Sequence, residues 1–147
     1  MLAKRECIQL NQSVFSLANA YRSRMVREGT VERTGLSLAD RSTLMVIGQS
    51  EPTTARDLSK RMDINPGTIS VYVQQLVEHG LVGRARDKND RRTWWLRLTE
   101  KGTSAYQETL QGTAAYTRDF LSPLSDEEQQ TLHQLLVRVV RGLGYEW

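Results

Sequence analysis

Only three residues, Asp63, Ile64 and Asn65, separate two segments whose apolar residues recur at helical spacing. Before the joint, TTARDLSKRM (53–62) sets Ala55, Leu58 and Met62 at i, i+3 and i+7, the stripe of a short amphipathic helix. After it, PGTISVYVQQLVEHG (66–80) gathers Ile69, Tyr72, Val73, Leu76 and Val77 on one face. Asn65 stands where a cap for the second helix belongs, Pro66 suits its first position, and Gly80 closes it.

Directly after Gly80 the period changes from helical to alternating. LVGRAR and TWWLRLT are rich in β-branched and aromatic residues, and DKND between them has turn chemistry. The reading is a two-stranded hairpin with its tip near Lys88 and Asn89. Alternation places Trp94, Leu96 and Leu98 on one face, as the anchor to the lobe, with Trp95 and Arg97 on the other. Helix, short turn, helix and hairpin form the order of a winged helix-turn-helix, in which the second helix enters the major groove and the hairpin touches backbone or minor groove.

Charge distribution agrees. Residues 1–50 carry seven basic and four acidic groups (+3), and residues 51–80 carry three and four (−1). Residues 81–102 carry seven and three (+4), and residues 103–147 carry three and six (−3). The hairpin segment therefore holds more net charge than the whole chain, whose balance is +3. A patch so focused is matched by a phosphate backbone, whereas a charge run taken alone is as well explained by a solvated surface hairpin. With Ile69, Tyr72, Val73 and Leu76 turned inward, the outer face of the second helix presents Gly67, Thr68, Ser70, Val71, Gln74 and Gln75, ending at Glu78. Glutamine pairs bidentately with adenine and a small apolar group touches a thymine methyl, so this face suits base edges. A single exposed valine also needs no explanation of its own.

The flanking segments are helical. Residues 4–29 space Ile8, Val14, Phe15, Ala18, Tyr21 and Met25 for one face, with Gly29 as the stop. In 36–50, Ser37 and Asp40 have capping-box spacing ahead of Leu44 and Ile47. Helices are expected over 101–120 and 126–143, the second opened by Ser125 and Glu128 and striped by Leu132, Leu135, Leu136, Val139, Val140 and Leu143. The long terminal stripes exceed what a small central lobe can cover, so the terminal helices are expected to pack together and against a second subunit. The fold class is thus mainly α with a small β-hairpin.

Composition bounds the alternatives. A hydrophobic fraction of 39% and a charged fraction of 25% in 147 residues fit one globular domain, or one with a helical extension. No apolar run approaches the roughly 18–20 residues of a membrane span, and MLAKRECIQL lacks the apolar core of a signal peptide. A single cysteine, Cys7, excludes an internal disulfide framework, and a cytoplasmic location is the expectation. His79 and His133 lack neighbours at ligand spacing, no catalytic triad or glycine-rich phosphate loop is recognisable, and neither metal, cofactor nor enzymatic activity is expected.

The run Thr54–Gly102 resembles the DNA-binding core of the MarR family of bacterial transcriptional regulators. The matching residues are the Leu58-x-x-x-Met62 first helix, the Pro66-x-Thr68-x-Ser70 start of the second, the GL-V-x-R junction at 80–84, and above all Asp87-x-x-Asp90-Arg91-Arg92 followed by LTEKG (98–102). The flanking helices also fall where this family has them. The resemblance implies a homodimer, with 1–35 and 103–147 as a helical dimerisation region and 36–102 as a winged DNA-binding lobe. It implies binding to a pseudo-palindromic double-stranded operator, as a repressor released by a small-molecule effector or an oxidant. DNA contacts then fall to Pro66, Gly67, Thr68, Ser70, Val71, Gln74 and Gln75 of the recognition helix, and to Arg84, Arg86, Lys88, Asp90, Arg91 and Arg92 of the wing. Arg92 corresponds to the family's minor-groove arginine and Asp90 to the acid that orients it; a carboxylate holding a guanidinium would supply that geometry. An effector site between dimerisation helices and lobe makes Tyr21, Met25 and Arg41 candidate neighbours, though each also reads as a core or surface residue. Cys7 stands upstream of the redox cysteine of some members and reads as an inert or interface thiol. Two competing readings are a constitutive architectural DNA-binding protein and a winged module for protein association, the latter expected to lack a basic wing tip.

Overall fold

The computed structural model describes residues 1–27 and 35–144. Its elements run α1 (Lys4–Arg27), α2 (Leu38–Ser50), β1 (Thr53–Thr54), α3 (Ala55–Met62), α4 (Pro66–Glu78), β2 (Val82–Arg86), β3 (Trp94–Leu98), α5 (Glu100–Phe120) and α6 (Asp126–Gly142). The chain divides into two compact units, Met1–Gly35 and Leu36–Trp147. The expected stop at Gly29 lies outside the described residues.

Local chemistry sets the helix boundaries. Ser37 and Asp40 form the full capping box of α2: the Asp40 amide donates to Ser37 Oγ at 3.1 Å, and the Ser37 amide to Asp40 Oδ2 at 3.0 Å. Ser125 and Glu128 do the same for α6. Asn65 Oδ1 accepts from the Gly67 amide at 2.8 Å, and Pro66 occupies the first turn of α4, where its missing N–H costs nothing. The joint before it depends on Asp63, which adopts the left-handed conformation at φ 51°, and on Ser59, whose hydroxyl donates to the Ile64 carbonyl at 2.6 Å. At the other end of α4, Gly80 takes φ 71°. Its amide donates to Val77 O and the Leu81 amide reaches back to Leu76 O, both at 2.9 Å, which is a Schellman closure. Leu81 and Leu76 are both buried, so the closure folds the chain onto the core as it ends the helix.

That core is one cluster: Leu36, Leu44, Ile47, Leu58, Ile69, Val73, Leu76, Leu81, Val82 and Leu96. It joins α2, α3, α4 and the hairpin, with Tyr106 of α5 packed against it. Gly48 lets Tyr106 approach, since a Cβ there would meet the ring at 2.7 Å.

Two features differ from the sequence reading. The expected two-stranded hairpin is part of a three-stranded antiparallel sheet in the order β1-β3-β2, with Thr53 opposite Leu96 and Thr54 opposite Trp95. A two-residue strand is too short for periodicity to reveal, and its partner lies some forty residues along the chain. Beyond β1, the Glu51 carboxylate takes the Leu98 amide at 2.7 Å. The second difference concerns the anchor. Leu96 is buried, but Trp94 is 45% exposed and does not fasten the wing to the lobe. Alternation does give it the Leu96 face, yet it sits one pleat period nearer the tip, about 7 Å along the strand, where that face has run out into solvent.

Candidate nucleic-acid interface

The apolar stripe of α4 fixes its outer face. Ile69, Val73 and Leu76 are fully buried, so Pro66, Gly67, Thr68, Ser70, Val71, Gln74, Gln75 and Glu78 are turned out and exposed together. Ser70 Oγ donates to Pro66 O at 2.9 Å, and Gln74 Nε2 donates to Glu78 Oε1 at 2.9 Å. Gln74 is thereby held along the helix, while Val71, 54% exposed, stands among polar neighbours.

The LTEKG segment ties this helix to the hairpin. Thr99 Oγ1 donates to Gly80 O at 2.6 Å, its amide donates to Leu81 O at 3.0 Å, and Lys101 Nζ donates to His79 O at 2.8 Å. Lys101 therefore serves the carbonyl end of α4, where a cation is favoured. Gly102 follows because a Cβ there would overlap the Leu81 carbonyl oxygen. The angle between recognition helix and wing is fixed through this junction.

Strand register sorts the wing. Val82, Arg84 and Arg86 lie opposite Leu98, Leu96 and Trp94 and share their face, and Ala85 lies opposite Trp95 on the other. Arg84, Arg86, Lys88, Asp90, Arg91 and Arg92 are all exposed. The Arg86 guanidinium stacks over the Trp94 ring at 5.0 Å, which gives that exposed tryptophan a role in holding the cation.

Two carboxylates order the tip. Asp87 Oδ1 accepts the Asn89 and Asp90 amides at 2.7 and 2.8 Å, and Oδ2 accepts the Trp95 indole N–H at 2.7 Å. These donors, the indole foremost, hold the Asp87 carboxyl below its usual range. Asp90 Oδ1 accepts the Arg92 backbone amide at 3.0 Å and Oδ2 the Thr93 hydroxyl at 2.8 Å, which likewise lowers its pKa. Both groups are thus ionised at neutral pH. The expected fork between Asp90 and the Arg92 guanidinium is replaced by a bond to the Arg92 main chain. The reason is local: an aspartate in a tight turn accepts the backbone amide two residues on, so the bond forms without the long arginine side chain folding back. Asp87 enters the sequence reading only as a motif residue and Trp95 only as a strand residue; an aspartate opening a turn signals the amide bonds, but nothing local signals the indole.

The other candidate residues are placed as follows. Tyr21 and Met25 are half-buried residues of α1, in the first unit, and Arg41 is a buried residue of α2, in the second. Arg41 Nε and Nη2 and Asp40 Oδ1 are buried without hydrogen-bond partners among the described residues, and burial pushes the guanidinium pKa down. Cys7 is exposed. Among the described residues no group of His, Cys, Asp or Glu could hold a metal ion, and no helix is long and apolar enough to cross a membrane.

Comparison with known proteins points to one family. The MarR family profile matches residues 34–93, the span from the start of the lobe to the far side of the wing tip. Over this span the chain is similar to the MarR family of regulators. The relatives it matches are HTH-type transcriptional regulators. The HTH-type transcriptional repressor MdtR of Bacillus subtilis is 26% identical over 99 residues, 67% of this chain and 64% of MdtR. A probable transcriptional regulator from Pseudomonas aeruginosa superposes with a TM-score of 0.76 at 25% identity, over 89% of this chain and 96% of that one. A mutant MarR from E. coli, complexed with operator DNA, superposes with a TM-score of 0.78 at 22% identity, over 95% and 99%. The likeness to these two solved structures concerns the fold.

Proposed function

We propose that this chain, as a member of the MarR family, works in the cytoplasm as a homodimer on pseudo-palindromic operator DNA, repressing transcription until an anionic small molecule releases it. The observation that carries the reading is the pairing of an exposed hydrogen-bonding face on α4 with an exposed, carboxylate-ordered basic tip, joined through LTEKG. The α4 face from Pro66 to Gln75 reads bases in the major groove, Arg92 enters the minor groove, and Arg84, Arg86, Lys88 and Arg91 meet phosphates. Asp90 orders the turn that presents Arg92. Residues 1–35 and 103–147 form the dimerisation region. Exposed Ile8, Val14 and Phe15 on α1, and exposed Leu135, Leu136 and Val139 on α6, support it, because apolar stripes of this length are otherwise left to water. Repression is supported by the similarity to MdtR, a transcriptional repressor, and operator binding by the similarity to the E. coli MarR mutant complexed with operator DNA.

Release by an anion is supported by Arg41. A buried guanidinium stays charged, and leaving its donors unpaired costs about 1–3 kcal/mol or more, a cost an incoming carboxylate relieves.

The test is duplex binding by the purified chain, with an operator chosen by selection from random sequences. Affinity falls steeply as salt rises. Arg92→Ala weakens binding by on the order of 1–3 kcal/mol, and wild-type-like binding by that variant overturns the wing assignment. A panel of aromatic acids, antibiotics and oxidants then separates a regulator from a constitutive architectural protein: release by an acid, abolished in Arg41→Met, supports the proposal, and operator binding indifferent to every compound favours the architectural reading.

A further inference from the structure

Asp87 stands where β2 gives way to the turn, and its two oxygens face different parts of the wing. One takes the Asn89 and Asp90 amides of the turn; the other takes the Trp95 indole of β3. The main chain closes the same loop, the Asp87 amide donating to Thr93 O at 3.0 Å and the Thr93 amide to Asp90 O at 3.0 Å. Trp95 is not a free reporter at the far end of this bond. It lies in the central strand, opposite Ala85 of β2 and Thr54 of β1, and next to Leu96, which is buried in the core. A continuous set of bonds therefore runs from the core through the central strand and one carboxylate to the residues immediately before Arg91 and Arg92.

We propose that Asp87 is a positioning residue for DNA binding, its bridge from Trp95 to the turn setting the wing tip before the duplex arrives so that Arg91 and Arg92 meet it in one geometry. The inference rests on the wing reading proposed above and adds to it the group that makes the wing rigid. Ordering a loop during binding draws on the binding free energy, and ordering it beforehand removes that loss. The bridge needs a carboxylate. An asparagine offers a single acceptor oxygen, so it can serve the turn amides or the indole and not both. The competing role for Asp87 is purely structural, supporting the hairpin without acting through the arginines.

The two roles separate in a double-mutant cycle on the full chain, read as the dissociation constant for the selected operator duplex, with far-UV circular dichroism and melting temperature as controls. Asp87→Ala is expected to weaken binding on the order of tenfold with helical content unchanged. In the Asp87→Ala background the Arg92→Ala loss is expected to shrink to within about twofold, because the arginine is no longer presented. Trp95→Phe keeps the ring and removes one bond, so it reproduces part of the loss and carries the same cycle if Asp87→Ala does not fold. Losses that simply add, in both the Asp87 and Trp95 cycles, overturn the inference, as does wild-type-like binding by Asp87→Ala. Arg92→Ala without effect in the wild-type background overturns the wing reading itself and this inference with it, whereas a normal Arg92 loss beside an inert Asp87→Ala overturns the positioning role alone.

Discussion

Gly102 shows how a single residue can reverse a general expectation. It occupies the first turn of α5, where replacing glycine by alanine ordinarily stabilises a helix by up to about 1 kcal/mol. Here the added Cβ would overlap the Leu81 carbonyl oxygen, which is backbone and also accepts the Thr99 amide. Gly102→Ala is therefore expected to destabilise the lobe, at the upper end of about 1–3 kcal/mol for overpacking, seen as a melting temperature lower by on the order of 5–10 °C. An unchanged or raised melting temperature would show that Leu81 and α5 are not in this close approach. Asp90 makes the complementary point. The sequence motif places an acid two residues before an arginine, and the acid binds that arginine's amide instead of its charge.

At the scale of elements, α4 and the wing divide recognition by chemistry. The helix offers neutral hydrogen-bonding groups and one exposed valine; the wing offers charge. Changing the helix should alter which sequence is preferred, and changing the wing should alter affinity for all of them. Gln75→Ala is expected to relax preference at one base pair of the operator by about 1–3 kcal/mol, measured as relative affinities for single-substituted duplexes. A loss equal across all duplexes, including nonspecific ones, would remove Gln75 from base reading. Gln74 begins from a different state, since its amide already bonds Glu78 and must leave that partner to meet a base. The helix boundaries behind this division were legible in sequence. Ser37 with Asp40, Asn65 with Pro66, Gly80, and Ser125 with Glu128 all act within a few residues of themselves.

For the whole molecule, α6 has no buried residue within the chain, and Val139 is 60% exposed. The proposed dimer gives these side chains their partner. Leu136→Asp combined with Val139→Asp is expected to yield a monomer by sedimentation at micromolar concentration, with operator affinity reduced by more than about tenfold because two half-site contacts are no longer linked. A dimer of unchanged stability would move the interface off this face of α6.

The order of the helices and of the two hairpin strands, the helix caps, the polar face of α4 and the basic wing are legible in the sequence, because each is written in spacings of two to four residues. The three-stranded sheet, the exposure of Trp94 against the half-burial of Trp95, the indole bond that orders Asp87, the clamp of Thr99 and Lys101 on the end of α4, and the burial of Arg41 come from tertiary contacts. Each depends on which distant residue arrives beside it, and alternation along a strand fixes the face of a side chain without fixing where the lobe beneath it ends.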